Sequence, residues 1–184
     1  MRRLVGGHDA ALNELMGRHA EKLFHYLVRC LQDESDAADL AQETFARVYQ
    51  HAARFDPGQK FTTWMYSIAT NLVRDRYRWR SRHPQVSLEA GGGETEAGFK
   101  DRLPASGPSP DEQLQSQERA AAVREAIAAL PDDLRQPLIL AVYQEMPQAE
   151  IAAILRCSIK AVETRIYRAR QHLRQRLAAL QQSC

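Results

Sequence analysis

Apolar residues recur every three or four positions through most of this chain. No stretch alternates apolar and polar residues for long enough to make a strand. That periodicity restricts the fold to helices. Leu12, Leu15, Met16, Leu23, Leu27 and Leu31 set the first one, predicted from about Asp9, a candidate N-cap after Gly6-Gly7, to Leu31. Ala37, Leu40, Ala41, Thr44, Phe45 and Val48 predict a second over about 35–53, with Ser35 as its cap. Phe55-Asp56-Pro57-Gly58-Gln59 breaks the chain. A third helix runs from about Thr62 to before Pro84, with Trp64, Met65, Ile68, Ala69, Leu72 and Val73 on its buried stripe. Later helices are predicted at about 111–130, 132–143, 148–155 and 158–180, with Pro131 and Pro147 where the second and third of these begin.

Between the two groups lie Gly91, Gly92, Gly93, Gly98, Pro104, Gly107, Pro108 and Pro110, in a polar stretch with few large apolar residues. This composition reads as a flexible, acidic linker over 84–110. The 184 residues therefore divide into two small all-α domains, 1–83 and 111–184. How the two are arranged is left open by such a tether.

Composition excludes several classes. No apolar run approaches the roughly 18 residues of a membrane span. Met1-Arg2-Arg3-Leu4-Val5 reaches charge too soon for a signal peptide, so a cytoplasmic protein without membrane insertion is expected. Cys30, Cys157 and Cys184 are an odd set with no CxxC spacing, which indicates neither a disulfide framework nor a zinc site. Cys30 and Cys157 are expected to be small buried hydrophobes. His19 and His25 stand six apart, not on one helix face, and with His51 they form no HExxH or ExxH pair; no metal is expected. No GxxxxGK[ST] or GxGxxG loop occurs either, and no cofactor or enzyme activity is expected.

The net charge is only +2, but its distribution is uneven. Residues 33–43 hold five acids and no base, whereas 71–82 hold five arginines and one acid. Residues 156–176 hold seven basic residues and one acid. Each basic segment has the character of a footprint on nucleic acid. In the last, Gln148–Leu155 forms a short helix, Arg156-Cys157-Ser158 a tight turn, and Ser158 a cap for the next helix. That helix buries Val162, Ile166, Ala169 and Leu173 and shows Lys160, Glu163, Thr164, Arg165, Tyr167 and Arg168. A helix-turn-helix spanning about Glu145–Arg176, its second helix in the major groove, is the reading. In the second helix of the chain, Asp39, Gln42 and Glu43 share one exposed face, suited to a basic protein partner or simply to water. In the third, arginines interleave with Tyr77 and Trp79, the combination that grips phosphates and stacks on unpaired bases.

Three segments, in order, resemble the extracytoplasmic-function class of bacterial sigma factors. Asp36-Ala37-Ala38-Asp39-Leu40-Ala41-Gln42-Glu43-Thr44-Phe45 is similar to their core-polymerase-binding segment. Phe61-Thr62-Thr63-Trp64-Met65-Tyr66-Ser67-Ile68-Ala69-Thr70-Asn71 is similar to their promoter-melting segment. Ala129–Arg135, Glu150-Ile151-Ala152 and Val162–Arg170 are similar to their C-terminal DNA-binding region. The resemblance covers the chain apart from the linker. It implies that the first domain (region 2) binds the β′ clamp helices of core RNA polymerase through Asp39, Gln42 and Glu43. The same domain would read the −10 promoter element through Asn71, Arg74, Arg76, Tyr77, Arg78, Trp79 and Arg80, with Asn71 receiving a base turned out of the stack. The second domain (region 4) would meet the β flap and read the −35 element through Lys160, Glu163, Thr164, Arg165, Tyr167 and Arg168. The linker would lie in the RNA-exit path, and an anti-sigma protein would hold the factor inactive. All covalent chemistry would belong to the polymerase.

Two positions depart from the family pattern. Glu163 stands where Lys or Arg is frequent, and it either accepts from cytosine N4 or pairs with Arg165 or Tyr167. Glu145-Met146-Pro147 replaces Gly-Leu-Ser before the helix-turn-helix, removing its Ser cap, and Arg156 replaces glycine in the turn. The first helix of the motif is still expected to form, with its start displaced or less stable by the ~1 kcal/mol of a lost cap. A one-component regulator would explain the C-terminal motif equally well. It would leave the arginine-aromatic segment and the acidic stripe without a purpose.

Overall fold

A computed structural model describes the backbone of residues 1–83 and 110–181, with side chains through 83 and from 117 to 178. The described residues are helical, with no strand among them. Helix α1 is Arg2–Val5, α2 Ala10–Leu31, α3 Glu34–Gln50 and α4 Phe61–Arg82, with a 3-10 turn at Ala52–Arg54. The second group is α5 Pro110–Ala128, α6 Asp132–Val142, α7 Gln148–Leu155 and α8 Ile159–Gln181. The predicted linker lies outside the described residues, except Pro110, which opens α5.

Each predicted helix is present, and the differences sit at the ends. Helix α3 is capped by Asp33, whose carboxylate accepts from the Asp36 amide at 2.9 Å; Ser35 falls inside the helix. Both residue types cap well, but only Asp33 adopts the extended backbone that an N-cap requires. Asp9 does precede α2, yet its carboxylate accepts from the Tyr49 hydroxyl at 3.1 Å instead of capping the helix. Helix α6 runs through Pro137, which removes one N–H from the ladder. Its neighbours Leu134, Leu138, Ile139 and Leu140 are all buried, and that packing outweighs the lost bond.

The first module packs α2, α3 and α4 around Leu23, Tyr26, Leu27, Cys30, Ala37, Leu40, Phe45, Val48, Met65, Ala69 and Val73. Trp64 covers the edge of this core, its ring 5.2 Å from Phe55. In the second module α6, α7 and α8 pack around Leu138, Ile139, Ile151, Ile154, Val162 and Ala169. The two cores are continuous. Helix α7 lies on α4, and α6 lies on α2.

Candidate functional site

The helix-turn-helix forms as its sequence predicts. Ser158 Oγ accepts from the Ala161 amide at 3.2 Å and caps α8. Helix α7 starts at Gln148, the predicted position, without a side-chain cap. Two residues that replace glycine take left-handed backbone, Glu145 at φ 51° and Arg156 at φ 53°; a β-carbon costs energy there. Val162, Ile166 and Ala169 are buried and Leu173 is partly so, which turns the opposite face of α8 to solvent.

On that face Lys160, Glu163, Tyr167 and Arg168 are exposed and Thr164 and Arg165 half-buried. Glu163 pairs with Lys160 at 3.3 Å, not with Arg165 or Tyr167. The i, i+3 spacing along the helix brings these two charges together. Thr164 donates to the Lys160 carbonyl at 2.9 Å, Arg165 reaches Cys157 Sγ at 3.6 Å, and the Tyr167 hydroxyl accepts from Gln171 at 2.7 Å. Cys157 is accordingly half-buried beneath Arg165, whereas Cys30 is fully buried.

On α3, Asp39, Gln42 and Glu43 are all exposed on one face. Glu43 pairs with Arg47 at 2.7 Å. Asp39 and Glu43 border a groove between α3 and α4 whose other wall includes Asp75, Arg78 and Trp79.

Helix α4 does not present its arginines as one basic face. At about 100° per residue they divide around the helix. Arg76 and Arg80 turn to the start of α3, where they hold Asp36 at 2.8 and 2.6 Å, and Arg80 also holds Asp33 at 3.2 Å. Two segments that read as separate charge runs thus neutralise one another. Tyr77 turns to the second module: its hydroxyl donates to the Cys30 carbonyl and accepts from Arg135 at 3.0 Å. Burial pushes that phenol upward in pKa. Arg74 reaches the Leu155 carbonyl at 3.4 Å. Arg78 pairs with Asp75 at 2.7 Å in solvent, and Trp79, 44% exposed, stacks on His83 at 5.0 Å. Asn71 is half-buried, and its side-chain amide has no hydrogen-bond partner among the described residues.

The contacts that join the modules have no signature in the sequence, although Thr63, Tyr66, Arg135 and Glu150 lie in the segments that resemble the family. Glu150 of α7 accepts from Lys60 and from Thr63 (3.2 Å) at the start of α4. Tyr66 donates to Gln144 at 2.6 Å, and Arg29 lies 4.2 Å over the Tyr143 ring. Arg135 donates to the Cys30 carbonyl at 2.7 Å. Partners this far apart in sequence leave no periodicity to read. Among the described residues no group of three His, Cys, Asp or Glu could hold a metal, and no helix is long and apolar enough to cross a membrane.

Comparison with known proteins gives these surfaces a family. Residues 15–83 match the model of sigma-70 region 2, and residues 120–173 that of sigma-70 region 4. The chain is 33% identical to the ECF RNA polymerase sigma factor SigW of Bacillus subtilis, over 95% of this chain and 92% of that one. Its fold is similar to that of CnrH solved in complex with the cytosolic domain of CnrY, with a TM-score of 0.70 and 27% identity over 97% of this chain and 94% of that one. The sigma factor RpoE of Bartonella quintana, solved with the anti-sigma factor NepR, shares the fold at a TM-score of 0.67 and 23% identity, over 90% and 96% of the two chains. Two sigma-70 regions in order, on an all-helical scaffold, place this chain among the extracytoplasmic-function RNA polymerase sigma factors.

Proposed function

We propose that the two helical domains, 1–83 and 111–184 joined by 84–110, divide promoter reading between them. The first docks on the β′ clamp helices of core polymerase through Asp39, Gln42 and Glu43. It reads the opened −10 strand along α4 with Asn71 and Trp79, joined by Arg74, Arg76, Tyr77, Arg78 and Arg80 as these exchange their present partners. The second domain reads the −35 duplex with Lys160, Glu163, Thr164, Arg165, Tyr167 and Arg168, and meets the β flap. Glu163 accepts from cytosine N4 once it leaves Lys160. The factor works in the cytoplasm without cofactor, metal or chemistry of its own. An anti-sigma protein controls it, as the family resemblance implies; the CnrH complex supports such a partner by showing a relative of this fold held by a second protein.

The observation that carries this reading is α8, whose buried stripe of Val162, Ile166 and Ala169 leaves a polar, basic face beside a capped tight turn. Run-off transcription with purified core polymerase on a genomic promoter library tests it. The expected result is transcripts from promoters that share −10 and −35 elements. Glu43→Arg should weaken holoenzyme assembly about two- to tenfold by reversing charge at the clamp contact. Unchanged assembly by that variant removes Glu43 from the interface, and failure to transcribe with core polymerase overturns the proposal.

A further inference from the structure

Helix α8 carries a single acid among its 23 residues, Glu163, and it lies on the exposed face. An acid there repels phosphate and subtracts from the cations that give such a helix its grip. Arg168, Arg170 and Arg174 are exposed and have no ion-pair partner among the described residues, so phosphates have cations at hand without help from this part of the helix. Lys160 is differently placed. Its ammonium stands 3.3 Å from the Glu163 carboxylate, the two side chains being 85% and 45% exposed. An ion pair this open to water contributes little to stability. Its effect is to hold a donor and an acceptor side by side, on the second and fifth residues of the recognition helix, where base contacts cluster.

One base-pair edge in the major groove has the matching pattern. In C·G the cytosine N4 amine donates, the adjoining guanine O6 accepts, and guanine N7 is a second acceptor beyond it. N4 and O6 are hydrogen-bonded to each other, so they stand about 2.9 Å apart. The carboxylate and ammonium of this chain already have nearly that separation. Glu163 can therefore accept from N4 while Lys160 donates to O6 and N7, the two charges exchanging each other for the base pair with little movement. The other pairs leave a charge badly placed. G·C sets acceptors before the carboxylate. In A·T, in either orientation, the adenine N6 donor lies between two acceptors, N7 and thymine O4. Whichever of them Lys160 takes, the other faces the carboxylate. A charge desolvated without a partner costs more than an exposed ion pair contributes, so the penalty for a wrong pair outweighs the pair that is given up.

We infer, resting on the proposed −35 reading of α8, that Lys160 and Glu163 act as one unit that reads a single C·G pair: the acid fixes the cytosine and the lysine fixes the guanine paired with it. Lys160 is then a specificity residue and not a phosphate contact. Removing either partner leaves the other charge facing the groove alone, so the two positions are coupled in the specificity they confer.

The test is transcription by the full chain with purified core polymerase on duplex templates. A promoter recovered from the genomic library is randomised across its −35 element, and each template carries a barcode in its transcript. The wild-type chain should favour C·G at one position by about fivefold or more, the discrimination of a good base contact. Glu163→Ala and Lys160→Ala should each lose most of that preference at the same position, with preferences elsewhere in the element retained. Lys160→Glu combined with Glu163→Lys restores the ion pair with its poles exchanged, and it should turn the preferred pair from C·G to G·C. A wild-type chain that favours C·G nowhere overturns the inference, as does a Glu163→Ala variant that keeps the preference. Loss in Glu163→Ala with retention in Lys160→Ala leaves the carboxylate reading cytosine alone and overturns the unit. A swapped pair that still favours C·G, or that transcribes nothing, also overturns it. In each of these outcomes the wild-type chain transcribes; a wild-type chain that transcribes from no template overturns the sigma-factor reading itself, so the two failures are distinguishable.

Discussion

Arg135 has a charged side chain only 10% exposed, and it survives burial because it is surrounded by carbonyls. Its guanidinium donates to the carbonyls of Ile127 at 3.2 Å and Ala128 at the C-terminal end of α5, and to that of Leu130 at 2.6 Å in the turn that follows. Its remaining nitrogen reaches Cys30 near the end of α2. The last carbonyls of a helix have no partner within it, and their dipoles favour a cation. Removing the side chain strands several acceptors at once. Arg135→Ala should lower stability by about 3 kcal/mol, at the 1–3 kcal/mol typical of each unsatisfied buried group. Arg135→Lys should recover only part, because an ammonium cannot form the planar fork. Urea unfolding followed by circular dichroism measures both, and a loss under about 0.5 kcal/mol for the alanine variant would show that water replaces the guanidinium. Next to it, burial pushes the Cys30 thiol up to about 12. The reactive thiolate is scarce at neutral pH, so Cys30 should stay unmodified by iodoacetamide in the native chain and react on unfolding. Mass spectrometry of the Cys30 peptide decides this, and rapid native modification would contradict the burial. The burial of Cys30 is legible in the sequence because apolar surroundings argue for it. The burial of Arg135 is not, since a basic residue beside Asp132 and Asp133 reads as surface.

Helices were legible because each buries a stripe whose period is local. Their ends were less so, because a cap is chosen among several competent residues by backbone geometry. Asp33 and Ser35 are both good caps, and Asp33 is also held by Arg80 from the far end of α4, a contact that no local pattern encodes. The same long-range pairing divides the arginine-aromatic segment, which its composition alone presents as one basic run. Asp33 and Asp36 draw Arg76 and Arg80 to one side, and Cys30 and Arg135 draw Tyr77 to another. The expected weakness at the start of α7 takes a different form. The helix begins where predicted, and the strain falls on the left-handed Glu145 and Arg156 flanking it. Arg156→Gly should relieve roughly 1–2 kcal/mol of left-handed strain and return part of it as unfolded-chain entropy. A net gain of up to about 1 kcal/mol is expected. Thermal unfolding of the variant measures it, and a lowered midpoint would mean that the Arg156 side chain contributes more than its backbone costs.

For the whole molecule, two domains were expected and an arrangement was not. Each domain was legible because its core is built from stripes within its own helices. Their junction is built from pairs such as Tyr66 with Gln144 and Arg135 with Cys30, whose spacing in sequence follows from the tether and not from any periodicity. The junction has an energetic consequence. Ile127, Leu130 and Leu134 belong to the same continuous core as Leu23, Tyr26 and Cys30, so neither domain can unfold without exposing apolar surface and buried carbonyls of the other. Exposed apolar surface costs about 25 cal/mol per Å², and even a modest junction therefore couples the two transitions. The free chain should unfold in urea as one cooperative step, with coincident curves from far-ultraviolet circular dichroism and from tryptophan fluorescence. Trp64 and Trp79 are both on α4, in the first domain, so fluorescence reports that domain while dichroism reports both. If the domains were independent, fluorescence would follow only region 2 and the two curves would separate. Coincident curves that split in Arg135→Ala would show that Arg135, which holds both the carbonyls that end α5 and the Cys30 and Tyr77 groups of the first domain, contributes to the coupling.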